Sequence, residues 1–345
     1  MANPVPPGIN LEGVTSWFRQ HVADAVAPLS FELIPSGHSN LTYIVTDAAS
    51  QRFVLRRPPL QQVLATAHDM SREHRIISAL YPTAVPVPLP LGFCNDESVN
   101  ERPFYVMSFV DGIVLRNPDQ TSDIAPPIRL EISKSIARTL AELHKVDIAE
   151  VGLDTLAKQE DYIARQLRRW MGQFEQSQTT DRPAMAEIHA HLSSRIPPQT
   201  YTGIVHGDYR LDNCMVWPDG LVAAVLDWEL CTLGDVLADV ATLLMYWAEP
   251  DDEFTMLETS ATQVPGFASR AEILAEYETA CGREVPQIDF YMAFATWRLA
   301  CILEGVYARY LGGAMGTKEL PGGSVQFNNR IEALIAKATE YANAV

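Results

Sequence analysis

Three oxygen-bearing side chains lie at spacings that suit phosphoryl transfer. Asp208 and Asn213 stand five residues apart in a polar stretch, and Asp227 follows the apolar run 221–226. Phosphoryl transfer needs little covalent help from protein. It needs a group that orients or deprotonates the attacking hydroxyl, and oxygens that hold Mg²⁺ against the phosphates. In this interpretation Asp208 accepts the hydroxyl proton, whereas Asn213 and Asp227 bind the metal.

The full set forms the pattern H-x-D-x-x-x-x-N followed by a strand-borne aspartate, as in protein kinases. This chain has Gly207 inside the first triplet, and it has Asp227-Trp228-Glu229 where kinases have Asp-Phe-Gly. With these changes the pattern resembles the aminoglycoside phosphotransferase and choline kinase superfamily, which has a protein-kinase-like fold. The alternative is an accidental meeting of a polar loop and an acidic strand end, but the order and spacing of the whole set argue against it.

The resemblance implies a bilobal α+β fold, with a small antiparallel-sheet lobe containing one key helix and a larger, mainly helical lobe. We expect a nucleotide-binding lobe at 1–107, a hinge at 108–112 and a catalytic, substrate-binding lobe at 113–345. It also implies that ATP, with Mg²⁺, donates its γ-phosphate to a hydroxyl of a small molecule. The side chains expected to position the catalytic groups are His206, Glu229, Asp235 and Asp239.

The first third of the chain should bind the nucleotide. Apolar spacing predicts a helix at 10–27, and the residues at 31–45 have the pattern of two strands joined by a turn. By resemblance this turn covers the ATP phosphates, which Gly37, Ser39 and Asn40 would face. A turn with one glycine is, on its own, more often only a turn. By resemblance too, the backbone of Ser108 and Val110 in the hinge would bind adenine.

An arginine occupies the position of the lysine that binds phosphates in kinases. Residues 1–133 contain no lysine, and the predicted strand 52–57 places Arg56 at the corresponding position. Arginine can bind two phosphate oxygens at once, although its geometry differs from that of lysine. Glu73, in a predicted helix at 69–80, would form the ion pair with Arg56. The alternative is that Glu73 is only a surface charge.

The larger lobe should be mainly helical, because apolar residues recur at helical spacing through most of it. The predicted helices cover 128–146, 161–174, 184–192, 235–247, 271–282 and 290–310, and a loop is predicted at 312–328. The second of these helices carries Arg165, Arg168 and Arg169, which could hold an anionic acceptor or only face solvent.

Composition sets further limits. A formal net charge of −17 and a pI near 4.8 argue against nucleic acid as a partner. Five cysteines without metal-binding spacing favour buried thiols in a reducing compartment. The N-terminus shows no signal-peptide pattern, and charged residues interrupt the apolar segments. We therefore expect a cytoplasmic protein with no membrane partner.

The sequence does not identify the small molecule whose hydroxyl would receive the phosphate. The strand V-L-R-R-P-P and the loop H-G-D-Y-R-L-D-N most resemble the phosphotransferase-like proteins related to the N-terminal part of acyl-CoA-dehydrogenase fusions. A hydroxyacyl-type kinase, an aminoglycoside kinase and a nucleotide-binding module without turnover are the three alternatives, since a fold does not determine a function. An acidic acceptor cleft would favour the aminoglycoside, and an apolar one would favour the acyl substrate.

Overall fold

Two lobes make up the structure, a computed structural model that describes residues 5–34, 40–60, 69–256, 259–312, 320 and 322–345. The smaller lobe is built on a five-stranded antiparallel sheet, and the larger lobe is mainly helical. The α+β arrangement predicted from the motifs is confirmed. Two residues expected to face the phosphates, Gly37 and Ser39, lie outside the described residues.

The sheet of the small lobe places Arg56 at its centre. Its strands are β1 (Ser30–Leu33), β2 (Leu41–Thr46), β3 (Arg52–Arg57), β4 (Pro90–Cys94) and β5 (Phe104–Ser108). Their order across the sheet is β1-β2-β3-β5-β4. Strand β3 pairs with β2 and β5, so that Arg56 lies opposite Thr42 on one side and Tyr105 on the other.

Two helices cover the two faces of this sheet. Helix α1 (Leu11–His21) shares a buried cluster with Phe53 of β3, whereas helix α2 (Met70–Leu80) shares another with Val54. Successive strand residues face opposite sides, which explains the division. Helix α1 ends before residue 27, where we expected its end. The chain leaves helical geometry at Val22, which is extended, and residue 27 precedes Pro28, a position that also disfavours a helix.

Short strands in the larger lobe hold the predicted catalytic segments. They are β6 (Ile113–Val114), β7 (Thr202–Val205), β8 (Cys214–Val216), β9 (Val222–Val225) and β10 (Thr232–Asp235). In the small lobe, a single-turn helix, α3 (Glu97–Asn100), precedes β5. Strands β6, β8 and β9 form one antiparallel sheet, and β7 pairs with β10. Both sheets end beside the loops that carry Asp208, Asn213 and Asp227.

Helices form the rest of the larger lobe. They are α4 (Pro118–Thr121), α5 (Pro126–Lys145), α6 (Tyr162–Ser177), α7 (Pro183–Ser193), α8 (Leu237–Tyr246), α9 (Arg270–Cys281), α10 (Ile288–Leu311) and α11 (Gly323–Asn343). Helix α10 packs against α6, α8 and α11, and its Phe290, Phe294 and Trp297 are fully buried. In the part of the chain that the structure describes, no helix has the length and apolar character needed to cross a membrane.

Two further predicted boundaries of secondary-structure elements were wrong. Residues 323–328, expected in a loop, begin helix α11, whose Ile331 and Leu334 are fully buried. The glycines at the start of this segment suggested a loop, but Gly322 caps the helix with a left-handed φ of 70°. Residue 235, expected at a helix start, instead closes strand β10, where it pairs with Thr202.

Candidate active site

The loop between β7 and β8 brings Asp208 and Asn213 together. After β7 the chain passes through residues 206–213 and closes with a 3₁₀ turn at Leu211–Asn213. The Asn213 Nδ2 atom donates to the Asp208 carbonyl oxygen and to Asp208 Oδ2, both at 2.9 Å. A short turn thus converts the five-residue spacing into direct contact between the two side chains.

Asp227 reaches the same place from the neighbouring strand. Strand β9 pairs with β8 so that Val225 lies opposite Cys214, and the Leu226 N–H then donates to the Asn213 carbonyl at 2.8 Å. Asp227 follows with a left-handed φ of 64°. This backbone region is uncommon outside glycine but is entered more readily by aspartate and asparagine. The end of β9 therefore places the second candidate metal ligand beside the first.

His206 joins the loop at 206–213, called the catalytic loop from here on, to the loop that carries Asp227. The Asp208 N–H donates to His206 Nδ1 at 3.3 Å, and His206 Nε2 lies 2.9 Å from the Leu226 carbonyl. Because Nδ1 accepts a hydrogen bond, Nε2 carries the proton and donates. The imidazole therefore sets the distance between the backbone at Asp208 and the backbone just before Asp227.

Asp239, in α8, holds the start of the catalytic loop. It is fully buried, and its two carboxylate oxygens accept the N–H groups of His206 at 2.5 Å and of Gly207 at 2.9 Å. Asp235 does not share this contact, and the positioning role predicted for it stays a prediction. Its carboxylate accepts from the Leu237 N–H and from the Tyr291 hydroxyl, because residue 235 ends a strand that faces α10.

An arginine-centred cluster connects the two lobes. Arg56 Nη2 donates to Asp227 Oδ1 at 2.5 Å, Nε lies 2.9 Å from Glu73 Oε2, and Glu229 Oε2 is 3.9 Å away. Burial opposes the charged form of the guanidinium, but the surrounding negative groups outweigh it and raise the pKa of Arg56. The structure thus brings together the predicted pair of Arg56 and Glu73, and it adds Asp227 to that pair.

Glu73 is a buried carboxylate rather than a surface charge. Its oxygens accept hydrogen bonds from Asn40 Nδ2 at 2.9 Å and from the Tyr105 hydroxyl at 3.0 Å. Burial raises the pKa of Glu73, and the positive charge of Arg56 partly offsets that rise. Asn40 also lies 3.4 Å from Glu229, so its amide joins two carboxylates of the cluster.

The segment after β5 holds the predicted adenine-binding groups. The Ser108 N–H donates to the Leu89 carbonyl at 2.9 Å, and its hydroxyl accepts from the Leu89 N–H at 3.0 Å. Phe109 follows, and the guanidinium of Arg52 lies 3.9 Å above the centre of its ring. Val110 lies beyond Phe109 in the connection to β6 and is partly buried.

Three residues at the site were not anticipated from the sequence. Arg210 lies 3.3 Å from Asp208 and 3.1 Å from Asp212, and Tyr105 binds Glu73 as described above. Arg298, from α10, donates to the Gly207 carbonyl. Only Arg298 gave a signal in the sequence, as a charge within an apolar helical run. The partner of a buried charge cannot be identified from helical spacing alone.

Known proteins resemble this chain over most of its length. A mouse protein named acyl-CoA dehydrogenase family member 10 is 38% identical over 297 residues, which are 84% of this chain and 27% of the mouse protein. A chicken protein named acyl-CoA dehydrogenase family member 11 is 33% identical over 330 residues, 94% of this chain and 41% of its own length. The chain therefore spans less than half of these relatives.

Solved structures and a family model agree on the fold. A Ralstonia eutropha JMP134 protein assigned as an aminoglycoside phosphotransferase has a TM-score of 0.79 at 34% identity, covering 96% of this chain and 98% of that one. Spectinomycin phosphotransferase, solved with ADP and spectinomycin, has a TM-score of 0.63 at 12% identity, covering 97% and 99%. These neighbours confirm the protein-kinase-like fold. The model described as the phosphotransferase enzyme family matches residues 30–278, and the chain belongs to that family.

Proposed function

We propose that this chain is an ATP- and Mg²⁺-dependent phosphotransferase that moves the γ-phosphate to a hydroxyl of a small molecule. The observation that carries the proposal is the meeting of Asp208, Asn213 and Asp227 beside Arg56, where the two lobes join. Phosphoryl transfer depends on positioning and on charge stabilisation, and this set provides groups for both.

The donor atoms suit the metal. Mg²⁺ prefers carboxylate, carbonyl and phosphate oxygens, and Asp227 and Asn213 supply the protein's share. Because the Asn213 nitrogen binds Asp208, its amide oxygen is the atom that would meet the metal. Bound there, Mg²⁺ would neutralise charge on the phosphates. Asp208 would orient the hydroxyl and accept its proton, and Arg56, held by Glu73, would bind phosphate oxygens.

We keep the residues predicted to bind adenine and the phosphates, and we change which of their atoms would make the contacts. The Ser108 N–H is already bonded to the Leu89 carbonyl, just before β4, so we assign the Ser108 carbonyl, together with backbone groups of Val110, to adenine. Gly37, Ser39 and Asn40 remain the proposed phosphate-facing residues of the segment between β1 and β2. The Asn40 side chain binds Glu73, so its own share in phosphate binding would come from its backbone.

For the acceptor, the relatives named for acyl-CoA dehydrogenases favour a hydroxyacyl-type substrate over an aminoglycoside. A cavity of about 20 Å³ adjoins the catalytic loop, and its charged lining residues are Arg116, Arg210 and Asp212. Arg210 pairs with Asp208 and Asp212, so the charges there nearly balance and the cavity by itself favours neither acceptor.

Phosphorus NMR of MgATP turnover tests the proposal. The wild-type chain and Asp208→Ala would each be given aminoglycosides, choline-like alcohols, sugars and hydroxyacyl-CoA thioesters. We expect a new phosphate ester with a thioester acceptor, and none with the variant. If no acceptor gives an ester although MgATP binds, the module without turnover becomes the better description. An ester that persists in Asp208→Ala would refute the role of Asp208.

A further inference from the structure

We infer that Arg298 is a positioning residue that orients Asp208 from the core of the larger lobe, an inference that rests on the proposed role of Asp208. Arg298 lies in the middle of α10 and is 8% exposed. Its Nη2 atom donates to the Gly207 carbonyl at 2.5 Å. One guanidinium thus reaches from a largely buried helix to the residue immediately before the proposed catalytic aspartate.

The Gly207 carbonyl belongs to the same planar peptide as the Asp208 N–H. Arg298 holds the carbonyl end of this peptide, and His206 Nδ1 accepts from the N–H end at 3.3 Å. With both ends held, the peptide cannot rotate, and the direction in which Asp208 leaves the backbone is determined. Asp239 adds a third bond one peptide earlier, to the Gly207 N–H at 2.9 Å.

The backbone at Gly207 explains why a long cationic side chain is needed. Gly207 has a φ of 86°, and a Cβ atom there would lie 2.9 Å from the Leu230 carbonyl oxygen. The loop therefore passes close to its neighbour in a left-handed conformation, with the Gly207 carbonyl toward α10. A buried carbonyl without a donor costs free energy, and a guanidinium is the longest donor that α10 could offer.

The rest of the guanidinium has little compensation for its burial. Among the residues that the structure describes, Arg298 forms no salt bridge, and its Nε atom has no hydrogen-bond partner. The centre of the Trp170 ring lies 5.5 Å from its guanidinium carbon, and its charge also acts on the hydroxyls of Tyr162 and Tyr246, which carry no full negative charge. Burying a charge without an opposite charge is unfavourable. A neutral residue would serve packing better, so the bond to Gly207 is what favours arginine here.

The test compares two buried arginines. Arg298→Met keeps the length of the side chain and removes its donors, whereas Arg298→Lys keeps the charge. The matched control is Arg129→Met. Arg129 is 7% exposed and also donates to backbone carbonyls, but its acceptors are Thr121, Ser122 and Pro265, none of which lies in the catalytic loop.

Three quantities would be measured on each variant of the 345-residue chain. The first is hydrogen exchange of the peptide that contains residues 206–209. The second is release of ADP from MgATP with water as acceptor, and the third is the Kd of Mg-AMP-PNP. For Arg298→Met we expect exchange to be about 10-fold faster, since a bond to a charged donor is lost. ADP release should fall about 10²-fold, since misplacement of a reacting group by 1 Å has such effects. The Kd should stay within about twofold, because nucleotide contacts lie elsewhere.

Arg298→Lys should recover part of the ADP release, and Arg129→Met should change neither the exchange of this peptide nor ADP release by the folded protein. Unchanged exchange in Arg298→Met would overturn the inference, and so would equal acceleration in Arg129→Met, because the effect would then be global. The exchange measurement does not depend on turnover. If the wild-type chain transferred no phosphate, the proposed function would be contradicted. The exchange measurement would still decide whether Arg298 orients this peptide.

Discussion

At the scale of single residues, Asp227 combines an unusual backbone with a charged contact. It adopts a left-handed φ of 64° and binds Arg56 across the lobe junction. A substitution to alanine would disturb both properties at once. Asparagine has nearly the same shape and tolerates the left-handed region, so it isolates the charge.

We expect Asp227→Asn to weaken Mg²⁺-dependent binding of AMP-PNP by about 10-fold or more, since the proposed metal ligand loses its negative charge. Calorimetric titration with and without Mg²⁺ measures this effect. Asp219→Asn is the control, because Asp219 lies in the exposed turn at the other end of the same β8–β9 hairpin. Equal Mg²⁺ dependence in wild type and Asp227→Asn would rule out Asp227 as a ligand.

Arg56 uses two different nitrogens for two carboxylates, Nε for Glu73 and Nη2 for Asp227. Lysine has one nitrogen and cannot reproduce this fork. We therefore predict that Arg56→Lys weakens Mg-AMP-PNP binding by about 10-fold, and Arg56→Met by up to about 100-fold, the range expected for hydrogen bonds to charged groups. The same titration measures both variants. Wild-type affinity in Arg56→Met would show that Arg56 does not bind phosphates.

At the scale of secondary-structure elements, α8 supplies Asp239, the hydrogen-bond acceptor that holds the catalytic loop. Asp239 accepts two backbone N–H groups, which asparagine cannot do with both of its terminal atoms. Asp239→Asn should lower the free energy of unfolding by about 1.5–3 kcal/mol. It should also reduce turnover of the folded protein, because the loop loses a support.

Asp235→Asn is the matched control. Asp235 is equally buried and lies four residues earlier, but it binds Leu237 and Tyr291 rather than the loop. Urea unfolding and ADP release would be measured for both variants. We expect Asp235→Asn to lose stability while its folded fraction keeps its turnover. If both variants lost turnover equally, the separate role assigned to Asp239 would be wrong.

The elements show what could be predicted from the sequence. The spacing of Asp208, Asn213 and Asp227 between apolar runs was enough to predict their loops and strands, because local periodicity determines these elements. Helix α11 was missed, since it begins at Gly323 directly after Gly322 and its apolar face appears only later. The partners of Asp239 and Asp235 could not be assigned, because both lie near the same predicted helix and only tertiary packing distinguishes them.

At the scale of the whole molecule, buried titratable groups make stability depend on pH. His144 is buried, its Nδ1 lies 2.7 Å from the Tyr277 hydroxyl, and its Nε2 lies 3.6 Å from Asp239. Burial lowers the pKa of His144 below 6.5, although Asp239 opposes this shift. In the unfolded chain the same group titrates near 6.5, so below that pH the unfolded state binds the proton that the folded state excludes.

We therefore expect the free energy of unfolding to fall as the pH is lowered from 7.5 to 5.5. His74 and His189, whose pKa values burial also lowers, should add to the fall. Urea unfolding at several pH values would measure the slope. His144→Gln removes one titrating group, and its slope should be smaller. An identical slope in this variant would mean that His144 does not contribute to the dependence.

The arginine at the centre of the small-lobe sheet has a practical consequence for chemical labelling. A reagent that acylates amines needs the nitrogen of a lysine, which kinases place beside the phosphates. Residues 1–133 contain no lysine, and Arg56 stands at that position. A guanidinium stays protonated at neutral pH and is a poor nucleophile toward acyl groups. We therefore expect an amine-directed reagent to find no lysine to acylate in the small lobe at the proposed nucleotide site.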